Sequence, residues 1–493
     1  MAISTVHYEG IPTLPTLSEV FTWQRQVFQA DNSWYNGPTE NGVITSPYLR
    51  AEANGAVLPV YASRATFSTH SFAYILVDED TDFPIRLHLT LAQKRNRVVV
   101  LPEGRGVKAA ITGDFDVDAT LDGYGSFSFV FDHYVEGAFT IMVEKRARMP
   151  GRTSKREIYP GYHAMKDTCF EEENTVYVLK AGRHEIEHIS LPSHSSLFLE
   201  EGAYLKVRYL PENGVKTIIA SRNTADVAIL GHGLIDYSAV PSSVATGFAL
   251  NHVKGITVQN LTLINCMSWC LCFTNSERVF VRDILDIAYR IFSDGIMLSD
   301  CVQGEVCNCF LRTGDDAAEC KSTGDGSTRT NDIYFHDLDA WTDKAVAYGI
   351  VFEDNYDTHN VRYERCNVGF ALPNWSRHLG SITVNTGNNP NACDYDISFT
   401  DTEVYYTLSS AITICAYEGA IRDVRVKNLS VRHNFHEDPV LIWLRDGEKA
   451  AIGRIDLENI TVAGVRLCEE NRDDMIAVLD PDGKVDRKDI HIL

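Results

Sequence analysis

From about residue 175 onward the chain repeats one small pattern of apolar and polar positions. An apolar–polar–apolar triplet recurs, mostly followed within two residues by Asn, Asp or a similar polar residue. The instances are Val227-Ala228-Ile229, Ile256-Thr257-Val258, Val279-Phe280-Val281, Val306-Cys307-Asn308-Cys309, Ile333-Tyr334-Phe335, Val361-Arg362-Tyr363, Ile397-Ser398-Phe399, Val424-Arg425-Val426 and Ile455-Asp456-Leu457. Their first residues lie 29, 23, 27, 27, 28, 36, 27 and 31 apart. A period in the twenties, β-branched strands, polar corners and no leucine consensus predict the coils of a parallel β-helix, whose faces are buried only by stacking.

A second strand runs through the same coils: Gly295-Ile296-Met297-Leu298, Ala317-Ala318-Glu319-Cys320, Gly349-Ile350-Val351-Phe352-Glu353, Ser381-Ile382-Thr383-Val384-Asn385 and Ala411-Ile412-Thr413-Ile414. Alternation sends Ile296, Leu298, Ala318, Cys320, Ile350, Phe352, Ile382, Val384, Ile412 and Ile414 into the core. The opposite parity (Met297, Glu319, Lys321, Val351, Glu353, Thr383, Asn385) then forms the floor of an outward groove.

Residues 1–155 have a different rhythm. Runs such as 67–77, 85–91, 98–101 and 126–131 are short, alternating or continuously apolar, and bounded by Gly, Asp and Pro. They predict antiparallel strands with one wet face, and hence a β-sandwich. The first sixty residues hold Trp23, Trp34, Tyr35 and Tyr48 with little periodicity. The basic stretch Lys145-Arg146-Ala147-Arg148-Met149-Pro150-Gly151-Arg152 reads as the linker out of this unit. The expected architecture is all-β: a β-sandwich over 1–155 followed by a parallel β-helix over 156–493.

Composition narrows the chemistry. A net charge of −22 without a basic stripe argues against nucleic acid and anionic membrane as partners. No signal-peptide pattern and no apolar run of membrane-spanning length is visible, so a cytoplasmic protein is expected. Of twelve cysteines, eleven lie after residue 260, mostly in apolar runs, and read as buried thiols. Cys270/Cys272 and Cys307/Cys309 are spaced C-x-C with no histidine cluster beside them, so no metal site is read. No cofactor motif is present, and neither a phosphate loop nor a Gly-x-Ser-x-Gly elbow is found.

What remains is acidic. If the strands around Asp294-Gly295 and Asp315-Asp316 occupy neighbouring coils, Asp294 stacks beside Asp316, with Asp315 next to both. Three like charges at strand spacing repel and raise one another's pKa values. Asp is also common at β-helix corners for conformational reasons alone. An open groove with several carboxylates is what glycoside hydrolysis requires, one acid staying protonated for the leaving oxygen and another ionised. Weaker candidates for substrate contact are Glu319, Lys321 and Glu353, then Trp375, Arg377 and His378 in the loop before an outward strand, and Trp341.

The order and spacing of Asp294-Gly295 and Asp315-Asp316 resemble the polygalacturonases (glycoside hydrolase family 28) and, more loosely, the dextranase/isopullulanase family (family 49). The resemblance covers roughly residues 175–465. It includes a phrase similar to Gly182-Arg183-His184-Glu185-Ile186, found in bacterial relatives that carry a sandwich-like N-terminal domain. It implies a right-handed helix, an oligo- or polysaccharide substrate, Asp315 as general acid, Asp294 and Asp316 holding the attacking water, and inversion. The chain departs from polygalacturonases in Phe292-Ser293-Asp294-Gly295 for Asn-Thr-Asp-Gly, Ala347-Tyr348-Gly349 for Gly-His-Gly, and Ser381-Ile382-Thr383 for the carboxylate-binding Arg-Ile-Lys. A neutral sugar is therefore open beside a uronate, and Tyr348 is a candidate for the missing histidine. A lyase or epimerase of the same fold and a non-catalytic glycan-binding β-helix remain as alternatives. Endo or exo action and oligomeric state are not legible.

Overall fold

The computed structural model describes residues 3–14, 16, 18–20, 23, 41–66, 68–78, 83–324, 329–372, 379–445 and 449–493. Two sheets of a sandwich precede one continuous coiled sheet. The six-stranded sheet runs, in spatial order, Val43–Thr45, Tyr61–Ala65, Ser68–Val77, Tyr134–Lys145, Gly125–Phe131 and Val98–Leu101. The five-stranded sheet runs Ala56–Leu58, Leu49–Ala53, Ile85–Leu91, Asp116–Leu121 and Lys108–Ile111. Pairing is antiparallel except between Ser68–Val77 and Tyr134–Lys145.

The expectation of one wet face holds for the five-stranded sheet, where Ile85–Leu91 alternates buried and exposed positions. It fails for the six-stranded sheet, whose Gly125–Phe131 strand is buried on both faces. One face packs within the sandwich. The other carries Phe72, Tyr74, Val130 and Met142 onto Leu285, Phe310, Trp341 and Phe370 of the coils, all in one apolar cluster. The sandwich is thus welded to the β-helix by a second core. Trp341 belongs to that core, 1 % exposed, and is no groove residue.

Among the described residues from Ser154–Ile158 to Ile490–Ile492, 31 strands stack almost entirely in parallel. The triplets form one inward row: Val227 pairs with Ile256 and Ile256 with Val279, and Ile333, Val361, Ile397, Val424 and Ile455 follow in register. One coil departs from the expected spacing. Val279 pairs with Gly304, and Val306 sits one inward position further along, opposite Val281. A Cβ at Gly304 would lie 2.5 Å from Leu298 Cδ2, so Leu298 and Ile333 already fill that place.

The polar residue closing most triplets has a conformational reason. Asn260, Asp283, Asn308, Asp337, Asp401, Asn428 and Asn459 all take φ between 54° and 57°, the left-handed region that Asn and Asp tolerate best. Their side chains also bond from coil to coil, as in Asn428 Nδ2 to Asp401 Oδ1 at 2.7 Å and Asn459 Nδ2 to Asn428 Oδ1 at 2.9 Å. Among the described residues no helix is long and apolar enough to cross a membrane.

Candidate functional site

The site is built on a row of strands one side over. Ile296–Ser299 pairs with Ala318–Lys321, then Tyr348–Ile350, then Gly380–Asn385. Ile296, Ala318, Tyr348 and Ile382 share one inward row, and Leu298, Cys320, Ile350 and Val384 the next. Tyr348 is therefore a core residue, fully buried, its hydroxyl donating to the Asn367 carbonyl at 2.6 Å. It cannot replace the missing histidine. It pairs with Ala318 and its ring lies 5.9 Å from that of Tyr363, so this strand's register stands two residues from the expected one. Phe352 in turn falls beyond the strand, at φ 45°, and packs with Val346, Val351 and Leu379 in a separate small cluster.

The outward row reads Cys272, Met297, Glu319, Gly349, Thr383 and Thr413. Gly349 is required there, because a Cβ would come within 1.8 Å of the Thr383 carbonyl oxygen. The row is not an open floor. Glu319 is 1 % exposed, Lys321 3 %, and Thr383 and Asn385 fully buried. Lys321 Nζ stands 3.0 Å from Glu319 Oε2 and 3.1 Å from Glu353 Oε2, joining a buried carboxylate to one whose side chain is 65 % exposed. Trp375, Arg377 and His378 lie outside the described residues.

The strand pairing also brings the acidic residues together. Gly295 N–H donates to the Asp316 carbonyl at 2.9 Å, so Asp294 and Asp316 open neighbouring strands. Carboxylate oxygens of Asp294, Asp316 and Glu319 lie within 4.8 Å of one another. Asp315 is fixed through its backbone: its carbonyl accepts from Thr313 Oγ1 at 2.6 Å and Thr342 Oγ1 at 3.1 Å. Its carboxylate accepts from Asp316 N–H at 3.1 Å, and that of Asp316 accepts from Val346 N–H at 2.8 Å. Gly295 and Gly314 let the coils close here, since a Cβ would meet the Ala317 and Arg290 carbonyl oxygens at 2.4 and 2.0 Å.

Electrostatics follows from burial and crowding. Burial first, then Asp315 and Glu319, raises Asp294 well above the usual carboxylate range. Burial and Glu319 push Asp315 up to about 7, and burial and Asp315 push Asp316 to about 7. Glu319 rises to about 8 by burial, against the pull of Lys321. Burial works against the Lys321 ammonium, but Glu319, Glu353 and the aspartates outweigh it and hold the lysine charged. Protons in such a group belong to the cluster rather than to single residues. The oxygens of Asp294, Asp316 and Glu319 could hold a hard cation, yet Lys321 already places a positive charge against Glu319.

Three residues at the site were not singled out by the sequence. Lys344, 8 % exposed, interacts with Asp315, and burial lowers its pKa. Trp269 is one coil before Asp294: Cys270 N–H bonds the Asp294 carbonyl at 2.9 Å and Leu271 pairs with Ile296. It is 42 % exposed, and Phe292, two residues before Asp294, is 50 % exposed. Counting back along the paired strands from Asp294 would have found Trp269.

The sandwich reaches this site from behind. Arg312, on the strand leading to Asp315, is fully buried and donates to His70 Nδ1 at 2.9 Å. Since Nδ1 accepts, His70 Nε2–H donates to Thr140 Oγ1 at 2.7 Å, and the ring is neutral. Burial and Arg312 keep its pKa well below normal. Arg312 also stands 3.7 Å from Asp343, which accepts Thr66 N–H at 2.9 Å.

Compared with solved structures, the chain is similar to Dex49A from Penicillium minioluteum, at 11 % identity and a TM-score of 0.67, over 93 % of this chain and 96 % of that one. The likeness spans sandwich and β-helix and shows a shared fold. Lower scores relate it to endo-xylogalacturonan hydrolase from Aspergillus tubingensis (12 % identity, 64 % and 91 % covered, TM-score 0.46) and to the family 28 exopolygalacturonase of Yersinia enterocolitica (10 %, 83 % and 95 %, 0.45). No family model and no curated protein matches the sequence.

Proposed function

We propose that this protein is a glycoside hydrolase that cleaves a neutral oligo- or polysaccharide by single displacement with inversion. The observation that carries the reading is the carboxylate cluster of Asp294, Asp316 and Glu319, within 4.8 Å and beside Asp315, opening the outward face of a β-helix. Asp315 donates to the leaving oxygen one of the protons that burial and crowding keep within the cluster. Oxygens of Asp294 and Asp316 are close enough to accept both hydrogens of one water, which attacks the anomeric carbon from the opposite side. Glu319 and Lys321 set the charge of this group. Trp269 and Phe292 give the apolar sugar face a surface to stack on.

A neutral substrate is favoured because, among the described residues, the cations set against Asp294, Asp315, Asp316, Glu319 and Glu353 are Lys321 and Lys344. A uronate would add to that negative field. Similarity to Dex49A over nearly the whole of both chains supports the dextranase-like side of the resemblance.

The test is hydrolysis of a panel of neutral and uronic oligosaccharides by the wild type and Asp315→Asn, with product anomers followed by proton NMR. Turnover of a neutral glycan with inverted product, lost in the variant, is expected. Equal activity of Asp315→Asn, retained configuration, or a preference for uronates would each overturn the corresponding part.

A further inference from the structure

We propose that Glu305, Cys307 and His336 form a site for a borderline divalent metal ion, Zn²⁺ foremost, on the outer face of the β-helix and separate from the carboxylate cluster. Glu305 and Cys307 are two apart on the strand Val302–Cys307, so they share a face. His336 ends the next strand, Asn331–His336, directly opposite Cys307. One ligand atom from each of the three lies within 4.8 Å of the others. The sequence showed no histidine near Cys307; the coil brings one alongside it from 29 residues on.

The orientation of His336 is the decisive feature. Its Nδ1 stands 2.6 Å from Asp337 Oδ2. A carboxylate only accepts, so Nδ1 carries a hydrogen toward Asp337, and Nε2 is the nitrogen left to meet a metal ion, which would displace any proton held there. Nε2 faces Glu305 Oε1 at 3.4 Å. A carboxylate behind the imidazole is the usual support of a metal-bound histidine. Two ligands about 2.0 Å from a tetrahedral zinc stand about 3.3 Å apart, close to the spacing found here. Asp337 is itself held by Arg365, with Nε at 2.7 Å and Nη2 at 3.0 Å.

The donor set of thiolate, imidazole and carboxylate suits Zn²⁺ or Co²⁺ rather than Mg²⁺ or Ca²⁺. Three protein ligands leave a fourth position. It opens on a cavity of about 460 Å³ between coils and sandwich, lined also by Arg105, Tyr124 and Arg282. Both guanidiniums are already paired with other carboxylates: Arg282 bonds Asp283 at 2.7 Å and Arg105 lies 2.9 Å from Asp339.

The experiment is a Co²⁺ titration of the full chain, read by the thiolate-to-cobalt charge-transfer band and the visible bands of tetrahedral cobalt, with Zn²⁺ competition. One equivalent is expected, displaced by Zn²⁺. The band should vanish in Cys307→Ser, weaken 10-fold or more in affinity in Glu305→Gln, whose side chain is half exposed and tolerates change, and persist in Cys169→Ser, the exposed thiol. Asp337→Asn should cost 10- to 100-fold in affinity, as lost support of a metal-bound histidine does. Absence of a thiolate band in the wild type, or its survival in both Cys307→Ser and Glu305→Gln, would overturn the proposal and leave the three groups as a plain hydrogen-bonded cluster.

Discussion

Two charged clusters are buried within a few residues of each other along the strand Phe310–Thr313 and its continuation, and they are opposites. Behind the strand, Arg312 meets neutral His70 and the Asp343 carboxyl group, one base against one acid. In front of it, Asp294, Asp315, Asp316 and Glu319 crowd together, and among the described residues Lys321 and Lys344 are the cations near them. The rear cluster is balanced and joins two domains. The front cluster is unbalanced, and burial makes its charges costly. Like charges persist in a buried place where chemistry uses them, at the expense of stability. Substitutions should therefore cost stability behind and rate in front.

The largest expected effect is on rate. Asp315→Asn should lower kcat by about 10²–10⁴, the range of a lost general acid, with no loss of melting temperature. A substantial fall in melting temperature instead would mean that the front cluster, too, is structural. Next is Arg312→Ala. Leaving Asp343 buried and unpaired should cost about 3–5 kcal/mol in denaturant unfolding. If Arg312→Ala proved nearly neutral in stability, the contrast between the clusters would collapse.

How far the sequence showed this contrast can be traced residue by residue. The coil rows were legible because β-branched residues recur with period two and the corner Asn and Asp residues mark each turn by their left-handed backbone. The neighbourhood of Asp294 and Asp316 followed from that periodicity. Strand register was not legible where packing decides it. Gly304 takes an inward position that Val306 was expected to fill, because Leu298 leaves no room for a Cβ. Tyr348 goes inward and Gly349 outward because a Cβ at Gly349 would meet the Thr383 carbonyl oxygen, and no pattern in Ala347-Tyr348-Gly349 announces that. The rear cluster was invisible as well. His70, Arg312 and Asp343 come from two domains, and the buried second face of the six-stranded sheet reads, in sequence, like any other run of strand residues.

The pH dependence of stability separates the clusters further. Asp316 has its pKa raised to about 7 from an ordinary 3.8. Its protonated form is the one the fold favours, so its contribution is complete below about pH 4 and is lost as pH rises through 7. Asp316→Asn should thus melt higher than the wild type by a few degrees at pH 8, and by less at pH 5. His70 has the opposite sign. Its pKa is depressed, so its contribution is present above about 6.5 and is lost as pH falls below that, when the unfolded chain takes a proton the fold refuses. His70→Gln should flatten the acid limb only. Thermal melts from pH 4 to 9 test both; parallel curves for wild type and either variant would remove the assigned group from its limb.

The smallest expected effect tests whether the front cluster works on a bound sugar. Trp269 is one coil from Asp294 and remains 42 % exposed, although an indole of that size is normally buried when the fold needs it. Stacking on a sugar face is worth about 0.5–1.5 kcal/mol, as for other aromatic contacts. Trp269→Ala should therefore raise KM about 2- to 10-fold, leaving kcat and melting temperature near the wild-type values. Phe292→Ala should do the same more weakly, its ring being smaller. A fall in kcat at unchanged KM would instead place Trp269 with the carboxylates, as a group that orients Asp294, and the front cluster would then extend one coil further than its charges do.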